Sequence, residues 1–245
     1  MVKLFKNKFA HLPLEIWAVT FANLLVAVAT AMAFSISPFF ITTVLGLSTF
    51  SMGAIEGFAE ALSQVSKLSS GISSDYFRKK KPTLMFGVFL AALSKPFFIL
   101  ANGSLAVIIS KVLERISNGV IATPRDAYVA DICTSSKRGA AYGVMMTGKT
   151  IGCVIGPLLV SSLIFFTEDY RLILWIGFVP VLAALFIIWK YMHETGIQEK
   201  NTSEASDKEN KISFEDMKKL PAKYWMTIGI AAIFMLARFS DGFLA

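Results

Sequence analysis

The sequence predicts an all-α membrane protein: six transmembrane helices form one bundle, and a seventh begins a second. Three observations carry this. Of the 245 residues, 55% are hydrophobic and only 17% charged, against about a quarter charged in ordinary soluble domains. The apolar residues fall into blocks, several of which reach the roughly 20 residues needed to cross a membrane. Lys and Arg gather in every second gap between those blocks.

Helix 1 is expected over Trp17–Thr43, with Pro38 near its far end. Lys3, Lys6 and Lys8 precede it, as in a signal peptide. Its apolar run exceeds the usual core of about 7–15 residues, so it reads as a retained span. The short turn at Leu45-Gly46-Leu47 sends helix 2, Ser48–Ser70, back beside it. A loop through Asp75 and Lys81 leads to helix 3, Pro82–Leu100, since proline suits a first helical turn. Helix 4 follows over Ser104–Ala122, with a less apolar continuation through Pro124 to Cys133. Helix 5 covers Ala140–Phe166 and helix 6 Leu172–Met192. The expected organisation is a six-helix bundle over 1–192, a charged linker over 193–221, and the start of a second bundle over 222–245.

The basic residues give an orientation. Outside the helices, nine lie on the N-terminal side up to Arg138 and seven more from Lys190 to Lys223, against Arg171 alone on the other side. That asymmetry predicts a cytoplasmic N-terminus. It also accounts for the net charge of +7 without a nucleic-acid-binding face. Cys133 and Cys153 show no metal or disulfide spacing and read as packing residues. The only histidines, His11 and His193, lie outside the helices, and no Gly-Lys-Ser/Thr phosphate loop occurs. No enzyme chemistry, cofactor or metal site is expected.

Several motifs lie on particular helices. Gly71, Asp75 and the basic residues Arg78, Lys79 and Lys80 stand between helices 2 and 3; Arg115-Ile116-Ser117-Asn118-Gly119 lies in helix 4. Gly148, Gly152 and Gly156 recur every four residues in helix 5, ahead of Pro157. Thr123-Pro124-Arg125-Asp126-Ala127 and Arg238-Phe239-Ser240-Asp241 follow in helices 4 and 7. In this order the motifs resemble those of the major facilitator superfamily, over nearly the whole chain. Tyr76 stands where a basic residue is usual in the first motif and Arg78 where glycine is; Asn118 stands where glutamine is common in the second; the third lacks its trailing glycines.

The resemblance implies a secondary transporter of a small solute, proton-coupled, that alternates access between two six-helix bundles. It further implies a bacterial inner membrane and makes Gly71, Asp75, Arg78, Lys79 and Lys80 a cytoplasmic gate. From the residues alone, that basic cluster is a positive-inside loop. The glycine stripe, with Pro157, is a packing face that lets a neighbouring helix approach closely.

Ionisable groups inside apolar segments cost at least about 2.5–3.5 kcal/mol each at a helix centre, so they face a cavity or a partner. At 1.5 Å per residue, Glu60, Lys95, Glu114, Arg115 and Lys149 fall near mid-depth, with Glu56 and Lys67 nearer the ends of helix 2. Glu56, Glu60, Gln64 and Lys67 form one stripe at spacings of four, four and three. Lys111 and Glu114, three apart, can pair along helix 4. Glu60, Glu114, Arg115 and Lys149 are the candidate substrate and proton pathway: Arg115 or Lys149 would hold an anionic or polar solute, and a carboxylate would carry the proton. The alternative is that these charges neutralise one another as buried structural pairs.

The expected partners are lipid, a small-molecule substrate, protons and a second bundle, with no nucleic acid. One bundle and a single further helix would not transport alone. Three readings stand: a fragment of a longer transporter, a half-transporter completed by a partner bundle, or a non-transporting sensor or assembly protein on the same fold.

Overall fold

The computed structural model describes residues 12–44, 46, 48–77, 80–167, 169–193, 226–227 and 229–230. The chain divides into two compact units, Met1–Thr195 and Gly196–Ala245. In the second unit, residues 226–227 and 229–230 are helical. The charged linker from 194 to 221, and Arg238 with Asp241, lie outside the described residues.

Six long helices make up the described part of the first unit. They are α1 (Leu14–Phe39), α2 (Thr49–Phe77), α3 (Lys80–Ile99), α4 (Ser104–Ile132), α5 (Ser135–Ile164) and α6 (Tyr170–Tyr191). Among the described residues there is no strand. Pro38 lacks an N–H and disturbs the last turns of α1, which continue as a π-helical turn over Phe40–Val44. Gly46, at φ 65°, takes the left-handed backbone that reverses the chain toward α2.

Two elements, α2 and α5, run further than the apolar pattern predicts, while α4 follows the expected continuation toward Cys133. Helix α2 extends seven residues past Ser70, where Ser70 Oγ donates to the Gly119 carbonyl of α4 at 3.1 Å. Helix α4 runs unbroken through buried Pro124. There Thr123 Oγ1 donates to the Lys67 carbonyl at 3.1 Å, so α2 holds the segment that proline weakens. Helix α5 begins at Ser135, its first turn closed by the Lys137 and Arg138 amides on the Thr134 carbonyl.

Four helices are long and apolar enough to cross a membrane: α1 with its extension to Thr43, α3, α5 and α6. Helices α2 and α4, at 29 residues each, have the length but carry most of the buried charges, and several of these meet each other.

The packing has an internal order. Helix α1 packs on α5 and α6, α4 packs on α2 and α3, and α3 packs on α6. Advancing every helix by three turns the α1–α5 contact into α4–α2 and the α1–α6 contact into α4–α3, and α3–α6 maps onto itself. Since α1 and α4 run in opposite directions, this is the pattern of an inverted three-helix repeat. Helices α1 and α4 are central; α2 and α5 lie at the flanks.

Two apolar clusters fill the interior. One includes Val88, Tyr128, Met145 and Ile188; the other includes Met32, Ile36, Phe98 and Ile173, with Phe40 and Phe98 rings 5.2 Å apart. At the end holding the start of α1, Tyr128 donates to the His193 carbonyl and Lys81 to the Trp189 carbonyl. Lys80, Lys137, Arg138 and Lys190 share that end. At the other, Arg171 donates to Ala101 and Asn102 oxygens.

Candidate functional site

Helix α2 presents Glu56, Glu60, Gln64 and Lys67 along one stripe, and α4 presents Lys111 and Arg115 with the same four-residue spacing as the two carboxylates. The two helices are parallel to each other, so the ladders meet in register. Lys111 Nζ lies 2.7 Å from Glu56 Oε1, and Arg115 Nη2 lies 2.9 Å from Glu56 Oε2. Arg115 Nη1 reaches Glu60 Oε2 at 3.2 Å. Gln64 donates to the other Glu60 oxygen at 2.9 Å and accepts from Lys67 at 3.2 Å. From the neighbouring α4 position, Glu114 turns to α3 and pairs with Lys95 at 2.5 Å.

Three cations, Lys95, Lys111 and Arg115, therefore face three carboxylates, Glu56, Glu60 and Glu114. The cluster is neutral as a whole, which removes most of the cost of holding charges at this depth. Access is graded across it. The side chains of Lys111 and Glu56 are 4% and 5% exposed, Arg115 is 23% exposed, and Glu60 is 50% exposed. Lys111 also lies over the Phe34 and Phe98 rings, 5.9 and 5.6 Å from their centroids, where ring quadrupoles add attraction.

One expectation is corrected. Lys111 and Glu114 do not pair along α4, because Glu56 on α2 and Lys95 on α3 stand closer to them than they stand to each other. Glu56, expected near the end of helix 2, is the hub of the cluster because Lys111 and Arg115 of α4 both reach its carboxylate. The identical spacing of Glu56/Glu60 and Lys111/Arg115 is the signal that could have found it.

Of the candidate pathway residues, the structure brings Glu60, Glu114 and Arg115 together and leaves Lys149 apart. Lys149 is exposed on α5 and has no ion-pair partner among the described residues. Beside it, Gly148, Gly152 and Gly156 face α1. A Cβ at Gly152 would stand 2.5 Å from the Leu24 carbonyl oxygen, and one at Gly156 would stand 2.6 Å from Ala31 Cβ. Pro157, in the same helix, is exposed.

At the basic end, Gly71 is close to α4, where a Cβ would meet Thr123 Cγ2 at 3.3 Å. Lys80 forms an ion pair with Asp131 of α4. Asp75 falls in the last turns of α2, its side chain outside the described residues, as are Arg78 and Lys79. Arg125 bridges Asp126 at 2.9 Å and donates to Asn23 of α1 at 3.0 Å. Among the described residues, no three His, Cys, Asp or Glu side chains are grouped to hold a metal.

Comparison with known proteins agrees with this architecture. The family model described as Major Facilitator Superfamily matches residues 19–244. An MFS-type transporter of Methanocaldococcus jannaschii is 28% identical over 234 residues, covering 92% of this chain and 54% of its own. The multidrug resistance protein MdtH of Proteus mirabilis is 30% identical over 141 residues, covering 56% of this chain and 35% of its own. The chain thus spans about half the length, or less, of these relatives. Among solved structures, the peptide transporter POT in complex with sulfate superposes with a TM-score of 0.62 at 18% identity, covering 91% of this chain and 45% of that one. The human organic anion transporter MFSD10 gives 0.59 at 17% identity, covering 74% and 47%. With the family match running across nearly every described helix, this chain is a membrane-embedded member of the Major Facilitator Superfamily.

Proposed function

We propose that the chain supplies the N-terminal bundle of a secondary active transporter that moves a small solute, coupled to protons, by alternating access. The observation that carries this reading is the cluster joining α2, α3 and α4, buried at Glu56 and Lys111 and opening at Arg115 and Glu60. Ion pairs placed only to hold helices together have no need of a half-exposed carboxylate at membrane depth. A carboxylate there faces water or a partner rather than lipid.

Glu60, Glu114, Arg115 and Lys149 form the pathway in this reading. Arg115 contacts the solute and Glu60 exchanges the proton, while Glu114 keeps Lys95 neutralised. Lys149 enters from α5 and is met by the second bundle, either later on the same chain or on a separate one. The basic end is cytoplasmic, in a bacterial inner membrane. There Gly71, Asp75, Arg78, Lys79 and Lys80 act as a gate whose ion pairs break and reform, the Lys80–Asp131 pair among them.

The test is proton-driven flux in proteoliposomes holding both bundles. Arg115→Ala is expected to abolish flux, and Glu60→Gln to uncouple it from the pH gradient. Normal, gradient-driven rates in both variants would end the proposal.

A further inference from the structure

Taking Arg115 and Glu60 to face the pathway, we propose that the solute is a monoanion whose carboxylate replaces Glu60 on Arg115, entering together with one proton taken up by Glu60.

The argument starts from the two partners of one guanidinium. Glu56 is fixed: it is buried, and its second oxygen is held by Lys111 at 2.7 Å. Glu60 is not fixed. Half its side chain is exposed, its contact to Arg115 is the longer of the two at 3.2 Å, and its other oxygen is held only by the Gln64 amide. Arg115 is itself partly open, so its Nη1 edge is the one position in the cluster where an outside group can take over from an inside one. A guanidinium suits this exchange, because it binds carboxylates in a fixed planar geometry.

Charge balance then sets the ligand class. With Glu60 ionised, the ion-paired groups number three positive and three negative, and Lys67, joined through Gln64, stands beside them as a fourth cation. A proton on Glu60 leaves one positive charge in excess beside a desolvated site, a state that is costly at this depth. One negative charge on the ligand offsets the added proton and restores the resting balance, whereas a neutral solute leaves the added charge uncompensated. The charged and polar groups facing Glu60 support the same sign. They are Glu56, Gln64 and Lys67 on α2, then Lys111, Glu114 and Arg115 on α4, with Lys95 of α3 joined through Glu114. Lys67, bound only to Gln64 among these, adds attraction for an anion.

The experiment is calorimetric titration of the whole chain in lipid nanodiscs with benzoate and with acetate, repeated in buffers of different ionisation enthalpy to count protons. The wild type is expected to bind with one proton taken up, and to lose affinity about tenfold per pH unit while Glu60 is ionised. Glu60→Gln is expected to bind without proton uptake and without pH dependence; Glu60→Asp keeps both. Arg115→Gln abolishes binding, with thermal unfolding recorded to confirm that each variant is folded. Absence of binding for both anions in the wild type would overturn the inference, as would unchanged proton uptake in Glu60→Gln. Loss of flux in Arg115→Ala without any anion binding would defeat this inference and leave the transport reading standing. Anion binding with proton uptake beside normal flux in both flux variants would do the reverse.

Discussion

The α1–α5 seam and the α2–α4 seam occupy equivalent places in the bundle, related by the three-helix shift, and both rely on glycine to bring backbones together. On α5 the stripe Gly148, Gly152 and Gly156 lies against α1. On α4, a Cβ at Gly119 would stand 2.6 Å from the Ser63 carbonyl oxygen and from Ser66 Cβ of α2. The chemistry around the two contacts is different. Along α1–α5 the buried partners are apolar except for Thr20 and the Asn23 amide, which donates weakly to the Met145 carbonyl at 3.4 Å. Along α2–α4 the close contact continues into five hydrogen-bonded or ionic links, from Glu56 to Ser70. Close packing is therefore common to both repeats and explains nothing about transport by itself. What sets α2–α4 apart is that ions were placed beside a contact already tight enough to exclude water.

The sharpest way to break this comparison is at its hub. Glu56→Gln strips the buried carboxylate from Lys111 and Arg115 at once and is expected to cost about 3–5 kcal/mol. Glu60→Gln, at a half-exposed position, should cost less than about 1 kcal/mol. Thermal unfolding of the two variants in the same detergent measures the gap; equal midpoints would remove Glu56 from the centre of the cluster.

Next in size is the pair of glycines. Gly152→Val and Gly119→Val each push a side chain into a neighbouring backbone and should destabilise by about 1–3 kcal/mol or more, because packed interiors give little. If the seams are equivalent, the two losses are similar. A loss at one site only would mean that the other seam relaxes, and the repeat symmetry would not extend to energetics.

Thiol labelling reads the packing at the end of α4. Cys153 is exposed on α5, whereas Cys133 is buried after α4. Burial pushes the Cys133 thiol up, against the opposing pull of Lys137 and Arg138. With less thiolate and less access than in the unfolded chain, Cys133 should react with N-ethylmaleimide at least about tenfold more slowly in the folded protein than after denaturation at neutral pH. The sign follows from the upward shift: raising the pH should speed Cys133 more in the folded protein than in the denatured chain. Peptide mass spectrometry over time gives both rates, and equal labelling of Cys133 in the two states would contradict the packing at that end.

The smallest effect serves as a control. Gly143 lies on α5 where an added Cβ would meet nothing within 4 Å, so Gly143→Ala should raise stability by about 0.5–1 kcal/mol through helix propensity alone. A loss instead would show that another surface covers this face of α5.

How much was legible in advance follows from the range of each interaction. Six helices could be read because a span is a local property: a run of apolar residues, ended by Gly46, by Asn102-Gly103 or by the turn before Tyr170. The glycine stripe was legible too, since its four-residue period lies on one helix. The end of α2 was not, because Ser70 ties it to another helix through a hydrogen bond, and neither was the start of α5 at Ser135. Lys111 was assigned to Glu114 for the same reason: spacing within one helix sees only intrahelical neighbours.

The sequence by itself determined that this chain resides in a membrane, how many helices its first bundle has, which end is basic, and which charges lie at depth. Those are consequences of solvation, which acts residue by residue along the chain. Only the tertiary structure decided that Glu56 joins Lys111 to Arg115, that Glu114 turns to Lys95, that Glu60 is left half open, and that Lys149 stays apart. These follow from the relative register of helices distant in sequence, and a shift of one residue in that register would exchange every partner.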